Sequence, residues 1–337
     1  MTTAAAPTTD APYFEDLEVG LLVEDAPALT LTEGLAAVHQ SILGDRLWLA
    51  LDRSLAEAVT GETAALAHPA LVCDVAIGQS TLLTQRVIAN LFYRGLALRR
   101  APRIGDTLRT TVEVVGLRQN RAKAGREATG LAVLRVRTVD QEERSVLDFH
   151  RCAMLPLRDA EGETGRADDV AAIGVTEPAP AELAAPIAGW RLGAYRERVP
   201  GPHFDTLAEG SRWTVPGGDV VDSAPELARL SLNVAMAHHD CAAGRNGRRL
   251  VYGGHTIGLA AAQLTRLLPS LVTIVAWHSC DHVGPVFEGD TLHSEVELER
   301  RQPLEEGGLV HLRSRVHARR EGGDAEVLDW RLIGVSA

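Results

Sequence analysis

The sequence predicts an α+β protein built from one unit used twice, a long buried helix followed by an antiparallel meander of four strands. Three observations carry this. The chain has 337 residues and is 45% hydrophobic, which is material for about two domains of ordinary size. Its two halves repeat four segments in the same order. Within each half, apolar residues at helical spacing precede four short runs of strand-like alternation.

The repeat begins with Tyr13-Phe14-Glu15-Asp16-Leu17 and Gly20, which answer to His203-Phe204-Asp205-Thr206-Leu207 and Gly210. IGDTLRTTVEV from Ile104 answers to EGDTLHSEVEL from Glu288, each shortly after a proline, Pro102 or Pro285. LRVRTV from Leu134 then answers to LRSRVH from Leu312, and VLDFHR from Val146 to VLDWRL from Val327. The Ala/Pro/Gly-rich stretch 159–200, with TEPAPAELAAP inside it, has linker composition. The expected division is therefore an N-terminal domain 1–158, a linker 159–200 and a C-terminal domain 201–337.

In the second half, Ile257, Ala260, Ala261, Leu264, Leu267 and Leu268 fall at helical spacing until Pro269 stops the pattern, so a buried helix is expected from Thr256 to Leu268. Its strands are SLVTIVAWHS, DTLHSEVELE, GLVHLRSRVHA and AEVLDWRLIG. In the first half the helix is expected from Val72 to Gln85, followed by VIANLFYRG, DTLRTTVEVVG, LAVLRVRTV and SVLDFHRCAML.

Composition removes several function classes. A net charge of -11, with acidic residues spread along the chain, argues against a nucleic-acid backbone as partner. Cys73, Cys152, Cys241 and Cys280 form no CxxC pair and read as reduced thiols, in keeping with a cytoplasmic location. The N-terminus shows no basic and apolar signal pattern, and no stretch approaches the roughly 20 apolar residues that span a bilayer, so no membrane partner is expected.

RRLVYGGHTIGLA from Arg248, IANLFYRG from Ile88 and GDTLRTTVEVVGLRQN from Gly105 resemble the MaoC-like (R)-specific enoyl-CoA hydratases and dehydratases. The resemblance covers both halves. It implies a double hot-dog fold, a long central helix wrapped by an antiparallel sheet in each copy. It also implies reversible addition of water to a 2-enoyl-CoA thioester, with the acyl-CoA as substrate and no further cofactor. Two fused copies already supply the pairing that single-copy relatives obtain by dimerisation, so a monomer or a homodimer is expected.

In that family a hydration loop of the form D-x-N-P-x-H-x-D precedes the central helix. The second half has Asn233-Val-Ala-Met-Ala-His238-His239-Asp240, so His238 and Asp240 match the ending and Asn233 stands where the acid usually is. The first half has Asp45, with Ala50 at the histidine position and Asp52 after it. Hydration needs a base of near-neutral pKa to take a proton from water, and histidine suits this; only the second half offers one. An amide at Asn233 cannot accept a proton but can hold water.

The glycines of Tyr252-Gly253-Gly254-His255 precede the expected helix, where unpaired N–H groups and the positive end of the helix can hold the enolate oxygen of an attacked thioester. A tight turn is the plainer reading of the pair. The first half lacks it, with Pro69-Ala70-Leu71 instead, which marks that half as degenerate. His239 is the base if the loop register is displaced by one, and His255 and His282 are further pocket candidates. Asp106 and Asp290 of the repeated G-D-T-L occur in both copies and read as turn caps. His238, His239, Asp240 and Cys241 are adjacent rather than spaced to converge on a metal, so no metal is expected. Two other functions stay open: acyl-CoA binding without turnover, favoured by Asn233, and a hot-dog thioesterase using Asp74 or Asp240.

Overall fold

A computed structural model describes residues 10–121, 127–175 and 178–337. Each half opens with two short strands, β1 (Leu22–Val23) and β2 (Leu29–Thr30) in the first. Helices α1 (Glu33–Leu43), α2 (Trp48–Leu51), α3 (Arg53–Thr60) and α4 (Pro69–Gln79) follow, then the meander β3 (Ala89–Leu98), β4 (Thr107–Gln119), β5 (Thr129–Val139) and β6 (Ser145–Pro156). The connection carries α5 (Pro180–Ala184) and α6 (Leu192–Arg196). The second half repeats the plan with β7 (Arg212–Thr214), β8 (Asp219–Val220), α7 (Ala224–Leu230), α8 (Gly253–Leu267), β9 (Leu271–His282), β10 (Thr291–Pro303), β11 (Gly308–Arg319) and β12 (Ala325–Ser336).

All the strands belong to one antiparallel layer, ordered β1-β4-β5-β6-β3-β9-β12-β11-β10-β7, with β2 on β4 and β8 on β10. The two meanders join where β3 pairs with β9, Tyr93 opposite Cys280 and Leu96 opposite Trp277. Arg94 and Asp281 close an ion pair across this seam at 2.5 Å. The order on one side of the seam mirrors that on the other, as expected of a fold that doubles one unit about an approximate two-fold axis.

The symmetry extends to side chains. Gln79 at the end of α4 donates to the carbonyl of Leu108 and accepts from Thr110, while Gln263 of α8 donates to Leu292 and accepts from Ser294. Each of these amides lies buried where helix meets sheet, and each is satisfied by the same strand position. Asp106 accepts from the N–H of Arg103 and Asp290 from that of Phe287, so both acids cap turns in matching places. Phe14 and Phe204, the aromatics of the first repeated segment, sit over Gly130 and Gly308, where a Cβ would lie 2.4 Å and 2.3 Å from the rings.

α4 and α8 are the two central helices. α4 is buried from Leu71 to Gln79 and α8 from Gly254 to Thr265, which is why their sequences are apolar nearly all round. Both begin three residues before the apolar periodicity does, at Pro69 and Gly253 rather than Val72 and Thr256. Pro69 fits the first helical turn because that position needs no N–H. α4 also ends sooner than expected: from Ser80 to Thr84 the chain tightens into a 3-10 helix, with Ser80 and Thr81 hydroxyls donating back to Ile77 and Gly78 carbonyls.

The connecting stretch packs as part of the core. Leu183, Ile187, Leu192 and Tyr195 join Leu49, Leu55 and Val59 in one buried cluster, and the Tyr195 hydroxyl donates to the carbonyl of Leu271. No helix among the described residues is long and apolar enough to cross a membrane. All four cysteines are free; Cys241 is exposed and the others are buried.

Candidate active site

The loop from Ser231 to Tyr252 places the candidate residues. It cannot drift, because it is clamped onto the other half: Val234 N–H donates to Thr81 Oγ1 at 3.0 Å and Met236 N–H to the carbonyl of Gln85 at 2.8 Å. At Gly78 any side chain is excluded, since a Cβ would lie 1.7 Å from the carbonyl oxygen of Ser231. Asn233 is 3% exposed, and its Oδ1 accepts the N–H of Ala235 at 2.9 Å, turning the chain so that Met236–His238 forms a 3-10 helix.

His238 comes off this turn and lines an inner cavity of 290 Å³ together with Asn233, Tyr252, Gly253, His282 and Arg151. Its Nδ1 lies 2.9 Å from the carbonyl of Leu250. A carbonyl only accepts, so Nδ1 carries the proton and Nε2 keeps its lone pair. Burial pushes the imidazole pKa down to about 4, overcoming the hydrogen bond to Leu250, so the ring is neutral at pH 7. Leu250 N–H donates to the carbonyl of Ala237 at 2.9 Å, which holds both sides of this contact in register.

Gly253 lines the same cavity at the start of α8, and Gly254 does not. A Cβ on Gly253 would stand 2.7 Å from His282 Nε2, inside the cavity, whereas one on Gly254 would stand 2.0 Å from Asp74 Oδ1, where the two central helices meet. The glycines thus serve different ends, access for the first and helix packing for the second. Tyr252, the residue before α8, gives no side-chain cap to the first turn; the His255 N–H donates to the Tyr252 carbonyl at 2.9 Å, and the N–H of Gly253 faces the cavity side as the group a ligand would use. Its hydroxyl instead donates to the carbonyl of Asp74 at 3.3 Å.

The remaining candidates scatter. His239 is exposed and its Nε2 bonds the carbonyl of Asn233 at 2.7 Å, so the loop presents His238 and not His239 to the cavity. Asp240, expected beside His238, is exposed outside the inner cavity, where its Oδ1 accepts the N–H of Ala242. His282 lines the cavity with its buried Nε2 unpartnered. His255 is wholly buried on α8 away from the cavity, both ring nitrogens unpartnered. Asp74 is buried against His39 at 3.2 Å and is also outside the cavity. Among the described residues no group of three or more His, Cys, Asp or Glu is placed to hold a metal ion.

Burial lowers His238, His255 and His282 each to about 4. The unfolded chain binds their protons near pH 6.5 and the folded one only near 4, so stability is full above 6.5 and falls as pH drops towards 4. Each group contributes a slope of up to about 1.4 kcal/mol per pH unit in that window. Denaturant melts at pH 7.5, 5.5 and 4.5 should show a steady decline; a midpoint unchanged down to pH 4.5 would mean that these rings are not held neutral.

The corresponding place in the first half is filled. Asp45 makes the same turn as Asn233, its Oδ1 accepting the N–H of Leu47 at 2.7 Å, and Arg46 N–H donates to Thr265 Oγ1 as Val234 does to Thr81. Ala50 stands at the His238 position. The first turn of α4 has Pro69, without an N–H, and Ala70, whose N–H is taken by His68 Nδ1 at 3.1 Å. Burial acts to raise the Asp45 carboxyl, but the His68 ring 3.2 Å away, the Leu47 N–H and His39 together outweigh it and hold the pKa low. The cavity left there is 20 Å³, bounded by Ala50, Pro186 and Trp190, so the connecting segment covers it.

An outer cleft of 1540 Å³ shares Ile88, Leu91, Arg245 and Leu250 with the inner cavity, and carries Arg86, Arg118, Arg121 and Arg166. An acidic protein thus gathers arginines at one opening, beside a mostly apolar recess lined by His238 and His282.

No protein-family model matches the chain. Among curated proteins it is 31% identical to β-methylmalyl-CoA dehydratase of Chloroflexus aurantiacus, over 87% of this chain and 84% of that protein. It is 30% identical to mesaconyl-CoA hydratase of Cereibacter sphaeroides, over 92% and 90%. Among solved structures it is 55% identical to RV0216 of Mycobacterium tuberculosis, described as a conserved hypothetical protein with a double hotdog fold, with a TM-score of 0.91 over 97% of this chain and 99% of that one. With the repeat, the joined sheets and the hydration loop in place, these likenesses show that the chain belongs to the MaoC-like hydratase and dehydratase family of double hot-dog type, with mesaconyl-CoA hydratase and β-methylmalyl-CoA dehydratase as relatives.

Proposed function

We propose that this protein adds water reversibly to a short 2-enoyl-CoA. The observation that carries this is His238: its proton is fixed on Nδ1 by Leu250, its Nε2 is free to act as base, and the cavity it lines also holds the uncapped first turn of α8 at Gly253. His238 Nε2 takes a proton from a water held beside Asn233. The hydroxide adds to the β-carbon, and the charge that develops on the thioester oxygen is held by the N–H groups at the start of α8. The imidazolium then returns a proton to the α-carbon. Each step reverses for dehydration.

The 290 Å³ recess suits a short acyl chain, being at the small end of ligand sites. The arginines of the outer cleft, Arg118, Arg121 and Arg245, suit the phosphates of the CoA nucleotide. A thioesterase would need a carboxylate in the recess, and neither Asp74 nor Asp240 lines it. Asn233 favours one second reading, acyl-CoA binding without turnover, because the cavity lacks the acid that would share the proton.

Incubation with a panel of saturated and unsaturated short acyl-CoAs separates these readings. Hydration predicts a product heavier by one water from unsaturated substrates alone. Release of free CoA would show a thioesterase, and binding with no conversion of any enoyl-CoA would establish the binding protein.

A further inference from the structure

His282, the last residue of β9, lines the inner cavity and takes no part in the steps from water to product given above. Its Nε2 is buried without a partner. This nitrogen borders the start of α8, since a Cβ on Gly253 would stand 2.7 Å from it. The ring packs edge to face against Tyr93, with the centroids 5.8 Å apart. Burial, helped by the neighbouring His238, lowers its pKa to about 4, so the ring is neutral at pH 7. A neutral imidazole with its proton on Nε2 gives a hydrogen bond there and carries no charge of its own. The repeat adds an independent observation. The offset that matches Gln79 with Gln263 and Gly105 with Gly289 also matches Pro69 with Gly253 and Leu98 with His282. Ala50, Pro69 and Leu98 together line the 20 Å³ cavity of the first half. Where the base is replaced by alanine and the helix start has no N–H, the place of His282 is thus taken by an aliphatic side chain.

We propose that His282 Nε2–H and the Gly253 N–H form one oxyanion hole, two donors that converge on the thioester oxygen from the sheet and from the helix. This rests on the hydratase reading for the presence of an acyl thioester in the cavity. The side chain that Gly253 lacks leaves the space in which an oxygen meets both groups. As water adds to the β-carbon, the electron pair of the C=C bond moves through the α-carbon onto the thioester oxygen, and His282 holds that charge while keeping its own proton. The pair returns to form the C–H bond when the imidazolium of His238 protonates the α-carbon. A neutral donor suits this position, because a second imidazolium beside a protonated His238 would be repelled by it. The two histidines of the cavity divide the work: His238 moves protons and His282 holds charge.

Infrared spectra of bound butyryl-CoA, isotopically labelled at the thioester carbonyl, test this without turnover. In the wild type the labelled C=O band should lie at lower frequency than in the free ligand. His282→Leu, which installs the residue that the first half has in this place, should lose about half of that shift while changing butyryl-CoA affinity less than about threefold. His282→Gln, whose amide still donates, should keep most of the shift. With a short 2-enoyl-CoA, His282→Leu should lower kcat by about a hundred- to a thousandfold, the worth of one oxyanion-hole donor, and leave the acid limb of the pH profile in place. An unshifted band in the wild type overturns the proposal, whether or not any variant folds. So does a full shift in His282→Leu. Loss of the acid limb in His282→Gln would make His282 a proton carrier and overturn it as well. A band shift that depends on His282, with no hydration of any enoyl-CoA, would instead retain the carbonyl site and remove the hydratase.

Discussion

His238→Ala should lower hydration of a short 2-enoyl-CoA by about two to four orders of magnitude, the usual worth of a positioned general base. The ring lies at the edge of a cavity and makes one structural hydrogen bond, to Leu250, so the melting temperature should change little. Binding of a saturated acyl-CoA should also persist, because the helix start at Gly253 and the arginine cleft are untouched. The informative control is Asp45→Ala in the other half. Asp45 is 2% exposed and holds Leu47 N–H, His68 and Thr265 in place, so its loss should weaken the fold and leave residual chemistry in whatever protein remains folded. If Asp45→Ala stops turnover as completely as His238→Ala, with fold and binding intact, the active half has been misassigned.

Asn233→Asp should act in the opposite direction and raise hydration by about a hundredfold. The first half already shows that an aspartate is tolerated in this turn, since Asp45 accepts from Leu47 N–H as Asn233 does from Ala235 N–H. A carboxylate in the cavity favours the imidazolium of His238, moving its pKa from about 4 towards neutrality, where a base works best at pH 7. The acid limb of the kcat/KM profile should move up in pH with it. A folded Asn233→Asp protein that hydrates no enoyl-CoA, with the wild type equally inert, would leave the acyl-CoA-binding reading.

The fold was legible because the repeat constrained it twice. All eight long strands lie where alternation placed them, and helical periodicity found both central helices, missing their first turns and the tightening of α4 into a 3-10 helix after Gln79. Pro-Ala and Gly-Gly-His carry no apolar stripe, so periodicity could not see them. The short helices α1–α3 and α5–α7 escaped, although α1 and α3 carry start and stop signals in the Thr32 and Asp52 caps and the left-handed Gly44 and Gly61; α6 is held by docking, with Tyr195 against Leu271.

The site was half legible. The loop motif led to His238 and Asn233 and the glycine pair to Gly253, which share the cavity, but the motif also brought in Asp240, and adjacency His239 and Gly254, which a 3-10 turn and a helix turn direct elsewhere. Arg151, which also lines the cavity, was not picked out although its signal was in the sequence. It occupies the strand position that Leu332 takes in the second copy, a charge where the repeat has a leucine, and it is held there by the Ser80 carbonyl and Thr84.

The cavity is walled by both halves: Val87, Leu91 and Arg151 come from the first, and His238, Gly253 and His282 from the second. When a gene duplicates within one chain, either copy is ordinarily free to drift or to be discarded. Here neither copy is free to drift, because each supplies part of the wall of one shared cavity, and the inheritance of the one is bound to that of the other.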